Sequence, residues 1–221
     1  MKIFGHRGAM GEVAENTLLG FERAISAGVD FVELDVRKTL DDQLIVMHDP
    51  DLKRLYGIDK PIRSLRLAEI VEMPRLDGTH SVDLKSALRT IGTRTGVNIE
   101  LKETGCTPLV RECLDATTAT VIISSFLPQE LEEAKKELPE IPRALLRNKW
   151  PFVSVREQQK LGLSYLALKW VIANRLALMR AKMQGLEVFV YTVDSPTRVR
   201  RLQKLGVMGV VRNNPSAKIK L

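Results

Sequence analysis

The 221-residue sequence predicts an α/β protein, a (β/α)8 or TIM barrel with a short β-hairpin arm after its second strand. Three observations predict it. Short β-branched or aliphatic runs centred near Ile99, Ile122, Leu145, Leu166, Phe189 and Val210 recur about every 21–23 residues, the length of one strand, one helix and two short loops. Helix start and stop signals fill the gaps between them. With runs near Phe4 and Glu33 the strands number eight, and eight strands alternating with helices close on themselves. The competing arrangement is an open doubly wound sheet. No Gly-x-Gly-x-x-Gly follows the first strand, so nothing supports dinucleotide binding. The length suits one domain, residues 1–221, with a sizeable core.

Each element has its own signal. Ile3-Phe4-Gly5-His6 is the first strand. Asn16-Thr17 caps a helix that carries Leu18, Phe21 and Ile25 on one face, and Gly28 stops it. Phe31–Val36 is the second strand. Leu44-Ile45-Val46-Met47-His48 follows too soon for a parallel crossover, which needs about a dozen residues. The turn Thr39-Leu40-Asp41-Asp42 therefore makes it a hairpin with strand two. Pairing residue 38 with residue 43 would set Glu33 opposite His48. Thr107-Pro108 and Ser195-Pro196 each read as a cap followed by proline in the first turn, and Pro128 opens another helix. Gly185 and Gly206 close two more.

Composition narrows the function classes. The chain is 44% hydrophobic yet has no run of 18 apolar residues, so no membrane span is expected. The first residues already read as a core strand, which leaves no signal peptide and points to the cytoplasm. Cys106 and Cys113, the two cysteines, share a helix face too far apart to bridge and read as free thiols. The net charge of +7 favours anionic ligands through the general field. The densest basic stretch, Arg198-Val199-Arg200-Arg201 with Lys204, reads as a solvated helix face. Aromatics are scarce and no recognition motif occurs, so nucleic-acid binding is not expected.

The polar residues that break the apolar runs carry the chemistry. Glu33 and Asp35 alternate with Val32, Leu34 and Val36, so both point to one face of strand two. Two adjacent buried carboxylates are costly unless a cation lies between them. Glu100, in Asn98-Ile99-Glu100-Leu101-Lys102, repeats the pattern. Barrel active sites lie at the C-terminal strand ends. There His6-Arg7-Gly8, Glu33, Asp35, Glu100 and Lys102 come from three adjacent barrel strands. Three acids suit one hard divalent cation, with Mg²⁺, Mn²⁺ and Ca²⁺ all open. With that cation, Arg7 and Lys102, the formal charge of the site is about +1, which invites a small anionic ligand. His80 lies in a loop and receives no role.

His6-Arg7-Gly8, Glu15-Asn16-Thr17, Glu33-Leu34-Asp35-Val36, Thr39 with Asp41, His48-Asp49-Pro50, Glu100-Leu101-Lys102, Ser124-Ser125-Phe126 and Thr192-Val193 together resemble the glycerophosphodiester phosphodiesterase family, from residue 3 to about 215. The resemblance implies a (β/α)8 barrel that hydrolyses glycerophosphodiesters to glycerol 3-phosphate and an alcohol with a divalent cation. It implies metal ligation by Glu33, Asp35 and Glu100, phosphate binding by Arg7 and Lys102, and an acid–base pair of His6 and His48. Either histidine can take either role, and the nucleophile is water or a neighbouring substrate hydroxyl. Glu15 either holds the His6-Arg7 loop or is solvated, and Phe126 either lines the wall beside the leaving group or packs into the core. The alternatives are a lysophospholipid-type phosphodiesterase and a non-catalytic barrel that binds anions.

The chain departs from the family pattern at Tyr191, where Trp is usual, and at Arg212-Asn213, where Thr-Asp is common. Asn213 removes a negative charge near the barrel mouth and Arg212 is expected to add a positive one there. The stretch from Asp51 to Leu65 is short where relatives often carry a capping subdomain. That predicts a shallow, open site tolerant of varied leaving groups.

Overall fold

The protein, seen here as a computed structural model, is described over residues 1–217. Eight parallel strands close a barrel: β1 (Lys2–Gly5), β2 (Phe31–Lys38), β4 (Gly96–Leu101), β5 (Val121–Ser125), β6 (Arg143–Arg147), β7 (Leu163–Lys169), β8 (Glu187–Tyr191) and β9 (Gly209–Arg212). The order runs β1-β9-β8-β7-β6-β5-β4-β2, and β1 pairs with β2 to shut the ring. The helices between strands are α1 (Leu18–Ser26), α2 (Lys53–Tyr56), α3 (Leu67–Glu72), α4 (Leu84–Ile91), α5 (Thr107–Cys113), α6 (Pro128–Glu137), α7 (Val155–Leu161), α8 (Arg175–Met183) and α9 (Pro196–Lys204). All eight expected strands are present. Among the described residues no helix is long and apolar enough to cross a membrane.

Strand parity builds two apolar layers. Val32, Leu34 and Val36 on β2, with Val97, Ile99 and Leu101 on β4, pack outward against the helices. The other parity fills the barrel: Phe4, Ile122, Ala144, Ala167, Phe189 and Val211 form the interior cluster. Phe4 stacks between Phe31 and Phe189, with ring centroids 4.7 and 4.8 Å apart. This aromatic floor supports the polar groups one layer higher on the same strands.

Caps behave largely as their chemistry requires. Thr17 accepts a hydrogen bond from the Gly20 N–H and so caps α1. Thr107 differs from expectation. It is the first residue of α5, with Cys106 at the cap, and its hydroxyl bonds to Glu130. Buried Glu130 instead accepts the N–H groups of Cys106 and Thr107, so an acid from α6 satisfies the helix start. Both cysteines are buried and free, and burial pushes their thiols up to about 12 and about 11.

The hairpin arm forms, with β3 (Leu44–Val46) antiparallel to β2, but its register differs by one residue. Lys38 pairs with Leu44 rather than residue 43, and Thr39 N–H donates to the Gln43 carbonyl. Asp42 takes a left-handed φ of 51°, closing a three-residue loop where four residues were expected. Glu33 is therefore not opposite His48. Residues 49–83 then form a compact insert whose Leu52, Tyr56, Ile62 and Ile70 cluster with Ile45 and Met47.

Candidate active site

Strand β1 ends at Gly5 and the chain turns at once through His6, Arg7 and Gly8. Arg7 has φ 48° and Gly8 φ 84°, both left-handed. A Cβ on Gly8 would lie 2.6 Å from the Gly20 carbonyl carbon of α1. Gly8→Ala is expected to cost about 2–4 kcal/mol, from left-handed strain plus that clash. Gly28→Ala, at φ 76° with open space around it, is expected to cost only about 1–2 kcal/mol. Urea unfolding checks both, and equal losses would show that the approach to α1 does not constrain the turn.

The turn aims the Arg7 backbone N–H at Glu33 Oε2, 2.8 Å away. The Arg7 guanidinium donates to Glu15 Oε1 at 2.9 Å and lies 3.3 Å from Asp35 Oδ2. Glu33 and Asp35 share one face of β2, and the β2–β4 register sets Asp35 beside Glu100. One carboxylate oxygen from each of the three lies within 4.8 Å of the others, and all three residues are buried. Lys102 Nζ is 2.6 Å from Glu100 and 3.3 Å from Asp35.

The trio is short of positive charge. Burial, then the neighbouring Asp35 charge, pushes Glu33 up to about 8 and Glu100 up to about 7. Burial also acts against Asp35, but the Lys102, Arg7 and His48 charges hold it below the usual carboxylate range. Glu33 Oε1 is buried with no hydrogen-bond partner. An orphaned carboxylate oxygen within an all-oxygen donor set fits a hard divalent cation, which the three acids could hold.

This has a consequence for the metal-free protein. Folded Glu33 and Glu100 keep protons that the unfolded chain releases near 4.5. Between that pH and about 7–8 the folded state binds more protons, so stability falls as pH rises. Without cation, the melting temperature is expected to drop from about pH 6.5 to 8, above the range in which the lowered His6 and His48 act in the opposite sense. Glu33→Gln should raise it at pH 8 by roughly 3–8 °C, because one buried charge is gone. A variant no more stable than wild type at pH 8 would contradict the charge imbalance.

Both histidines line the same cavity, of about 340 Å³, as do the acids, Arg7 and Lys102. His6 Nδ1–H donates to Asn213 Oδ1 at 2.6 Å, and His48 Nδ1–H donates to the Asp49 carboxylate at 2.7 Å. Each ring therefore keeps Nε2 for the cavity. Burial lowers both pKa values; Arg7 lowers His6 further, whereas Asp35 and Asp49 favour the charged form of His48. His48 reaches the cavity after β3 has ended, its carbonyl held by Arg37 Nε at 2.7 Å.

The insert braces this wall. Arg54 on α2 donates to Asp49 and, through both terminal nitrogens, to Glu15, so His48, Asp49, Arg54, Glu15 and Arg7 form one chain of contacts. Buried Arg75 donates to the Glu15 and Asn16 carbonyls, and Asn16 Nδ2 donates to Asp35. Sequence reading missed Arg54 and Arg75, whose segments carry no periodic signal. It also passed over Asn98, which lines the cavity on the same strand face as Glu100 and was visible by parity. No residue of the insert lines the cavity; His48, just before it, does.

The opposite wall is aromatic. Phe126 meets Tyr191 edge to face at 6.1 Å, and the Tyr191 hydroxyl donates to the Arg147 carbonyl at 2.9 Å. Arg212 does not reach the mouth. It is buried, with Nη1 on the Ala217 carbonyl, because the final strand turns it outward. Asn213 is the residue that enters the site, through His6.

Known proteins share this architecture. A glycerophosphodiester phosphodiesterase of Caldanaerobacter subterraneus subsp. tengcongensis is 29% identical over 99% of this chain and 96% of its own length. The crystal structure of a glycerophosphodiester phosphodiesterase from Thermotoga maritima is 28% identical, with a TM-score of 0.85 over 98% of this chain and 96% of that one. An Oleispira antarctica phosphodiesterase, solved in complex with the product sn-glycerol-3-phosphate, shares the fold at a TM-score of 0.92 and 24% identity, over 100% of this chain and 95% of that one. The family model matches residues 6–217, and the chain belongs to the glycerophosphoryl diester phosphodiesterase family.

Proposed function

We propose that the protein hydrolyses glycerophosphodiesters to glycerol 3-phosphate and an alcohol, using one divalent cation. The observation that carries the reading is the buried trio Glu33, Asp35 and Glu100, sharing one cavity with two cations and two imidazoles. A cation held by the trio would supply positive charge to the phosphoryl oxygens and ease deprotonation of the nucleophile. Arg7 and Lys102 add fixed positive charge against the oxygens on which negative charge develops. His6, half-buried and beside Arg7, is kept neutral and takes the proton from the nucleophile at Nε2. His48, with carboxylates beside it, gives its Nε2 proton to the departing alkoxide. A P–O bond forms to water or to the neighbouring glycerol hydroxyl as the P–O bond to the alcohol breaks. In the second case a cyclic phosphate is opened by water in a further step.

The test is release of glycerol 3-phosphate from glycerophosphoglycerol with Mg²⁺, Mn²⁺ or Ca²⁺ added in turn. Turnover with at least one of them is expected. Binding of the ester without turnover under all three would favour a non-catalytic anion-binding barrel.

A further inference from the structure

The wall facing the acids carries its own charge pattern. Phe126, Tyr191 and Trp170 give it an aromatic surface, the kind that captures quaternary ammonium groups through cation–π contact. Two of these rings already have one of the protein's own cations over them. The Arg198 guanidinium lies 3.7 Å from the Trp170 ring centroid, and Lys102 Nζ lies 5.9 Å from that of Phe126.

Lys169 adds to this. Tyr165 and Ala167 on β7 pack into the barrel interior, and Lys169 continues their row to the strand end, where it lines the cavity. The carboxylates lining the cavity all belong to the trio on β2 and β4, so none accompanies Lys169. A second cavity of about 410 Å³ shares Phe126 and Leu146 with the first and adds Arg147 and Lys149, again with no acidic lining residue. Arg147 is paired with Glu157, whereas Lys149 and Lys169 have no ion-pair partner among the described residues. A cavity of this size keeps both ester arms within about one Debye length, roughly 8 Å, of these charges.

We infer that this cationic wall selects glycerophosphodiesters whose alcohol is anionic or uncharged, and disfavours choline and ethanolamine esters. The selectivity comes from two sources. Lys169 and Lys149 repel a cationic alcohol and attract an anionic one. Arg198 and Lys102, set over Trp170 and Phe126, add positive charge beside rings that would otherwise favour an ammonium group. The inference rests on the phosphodiesterase reading above.

The test compares kcat/KM of the metal-loaded full chain for three esters. They are bis(glycerophospho)glycerol, whose alcohol carries a second phosphodiester, glycerophosphoglycerol, whose alcohol is uncharged, and glycerophosphocholine, whose alcohol is cationic. At low ionic strength the anionic ester should exceed the choline ester by about 10-fold or more, and added salt should shrink that ratio. Lys169→Glu should cut the ratio by roughly 10-fold, since it reverses the charge at the mouth. Arg198→Gln, which removes the cation over Trp170, should raise the relative rate for the choline ester about 3-fold. Both side chains are exposed, so neither change threatens the fold. A choline ester cleaved as well as the anionic one, with glycerophosphoglycerol also cleaved, would overturn the selectivity alone. So would a ratio unmoved by Lys169→Glu. No cleavage of any of the three would overturn the phosphodiesterase reading, and the selectivity with it.

Discussion

Alanine at His6 or at His48 should each lower kcat by roughly 10²–10⁴-fold, the usual contribution of a positioned acid or base. Neither change should unfold the protein, because each ring spends one nitrogen on a single partner, Asn213 or Asp49, and presents the other to the cavity. The two losses should differ in kind. A proton donor matters less when the leaving group needs no proton. With a p-nitrophenyl ester the His48→Ala deficit should shrink by about 10-fold or more, while the His6→Ala deficit persists. The reverse pattern would exchange the two roles. Wild-type rates from either variant would remove acid–base catalysis by that residue.

The second large effect is expected at Asp35. It lies 3.3 Å from both Arg7 and Lys102 and accepts a hydrogen bond from Asn16 at 2.9 Å. Asp35→Asn removes one of the three proposed cation ligands and leaves the largely shielded Arg7 and Lys102 without their shared partner. Loss of turnover by roughly 10³-fold or more is expected, with about 3–5 kcal/mol of stability. Because that variant is at risk of unfolding, Glu100→Gln separates the two effects. Glu100→Gln leaves the Asp35 contacts in place and removes a group already pushed toward neutrality. Calorimetric titration with Mn²⁺ should show weakened binding in a folded Glu100→Gln protein, by about 10-fold or more. Unchanged affinity would take Glu100 out of the ligand set.

The parts of the fold legible in the sequence were those with a strong period. Glu33 and Asp35 stand against Val32, Leu34 and Val36, so parity alone put them on one face, and Glu100 followed by the same rule. The eight strands were legible because each buried run is bounded by helix signals at a steady spacing. The hairpin register was not. Leu44 and Val46 pack against the main core while Ile45 packs into the insert, so β3 is apolar on both faces and offers no alternation to set its pairing. The left-handed Asp42 decided it, and Asp at that position does not announce its backbone angle. Arg54 and Arg75 were hidden for another reason. Their partners, Glu15 and Asn16, lie 39 and 59 residues away, and only the folded insert brings them together. Arg212 lies near the barrel mouth in sequence, but its position does not say which way the side chain turns, and the fold buries it against the turn that ends at Ala217.

The most direct measurement is glycerol 3-phosphate release from glycerophosphoglycerol by one protein sample under three conditions: as prepared, after EDTA, and after EDTA with a divalent cation restored. Release should stop in chelator and return with the cation, and the Glu100→Gln protein should fail to recover at the same cation concentration. Undiminished release in EDTA would contradict a cation held by Glu33, Asp35 and Glu100 as the centre of the reaction.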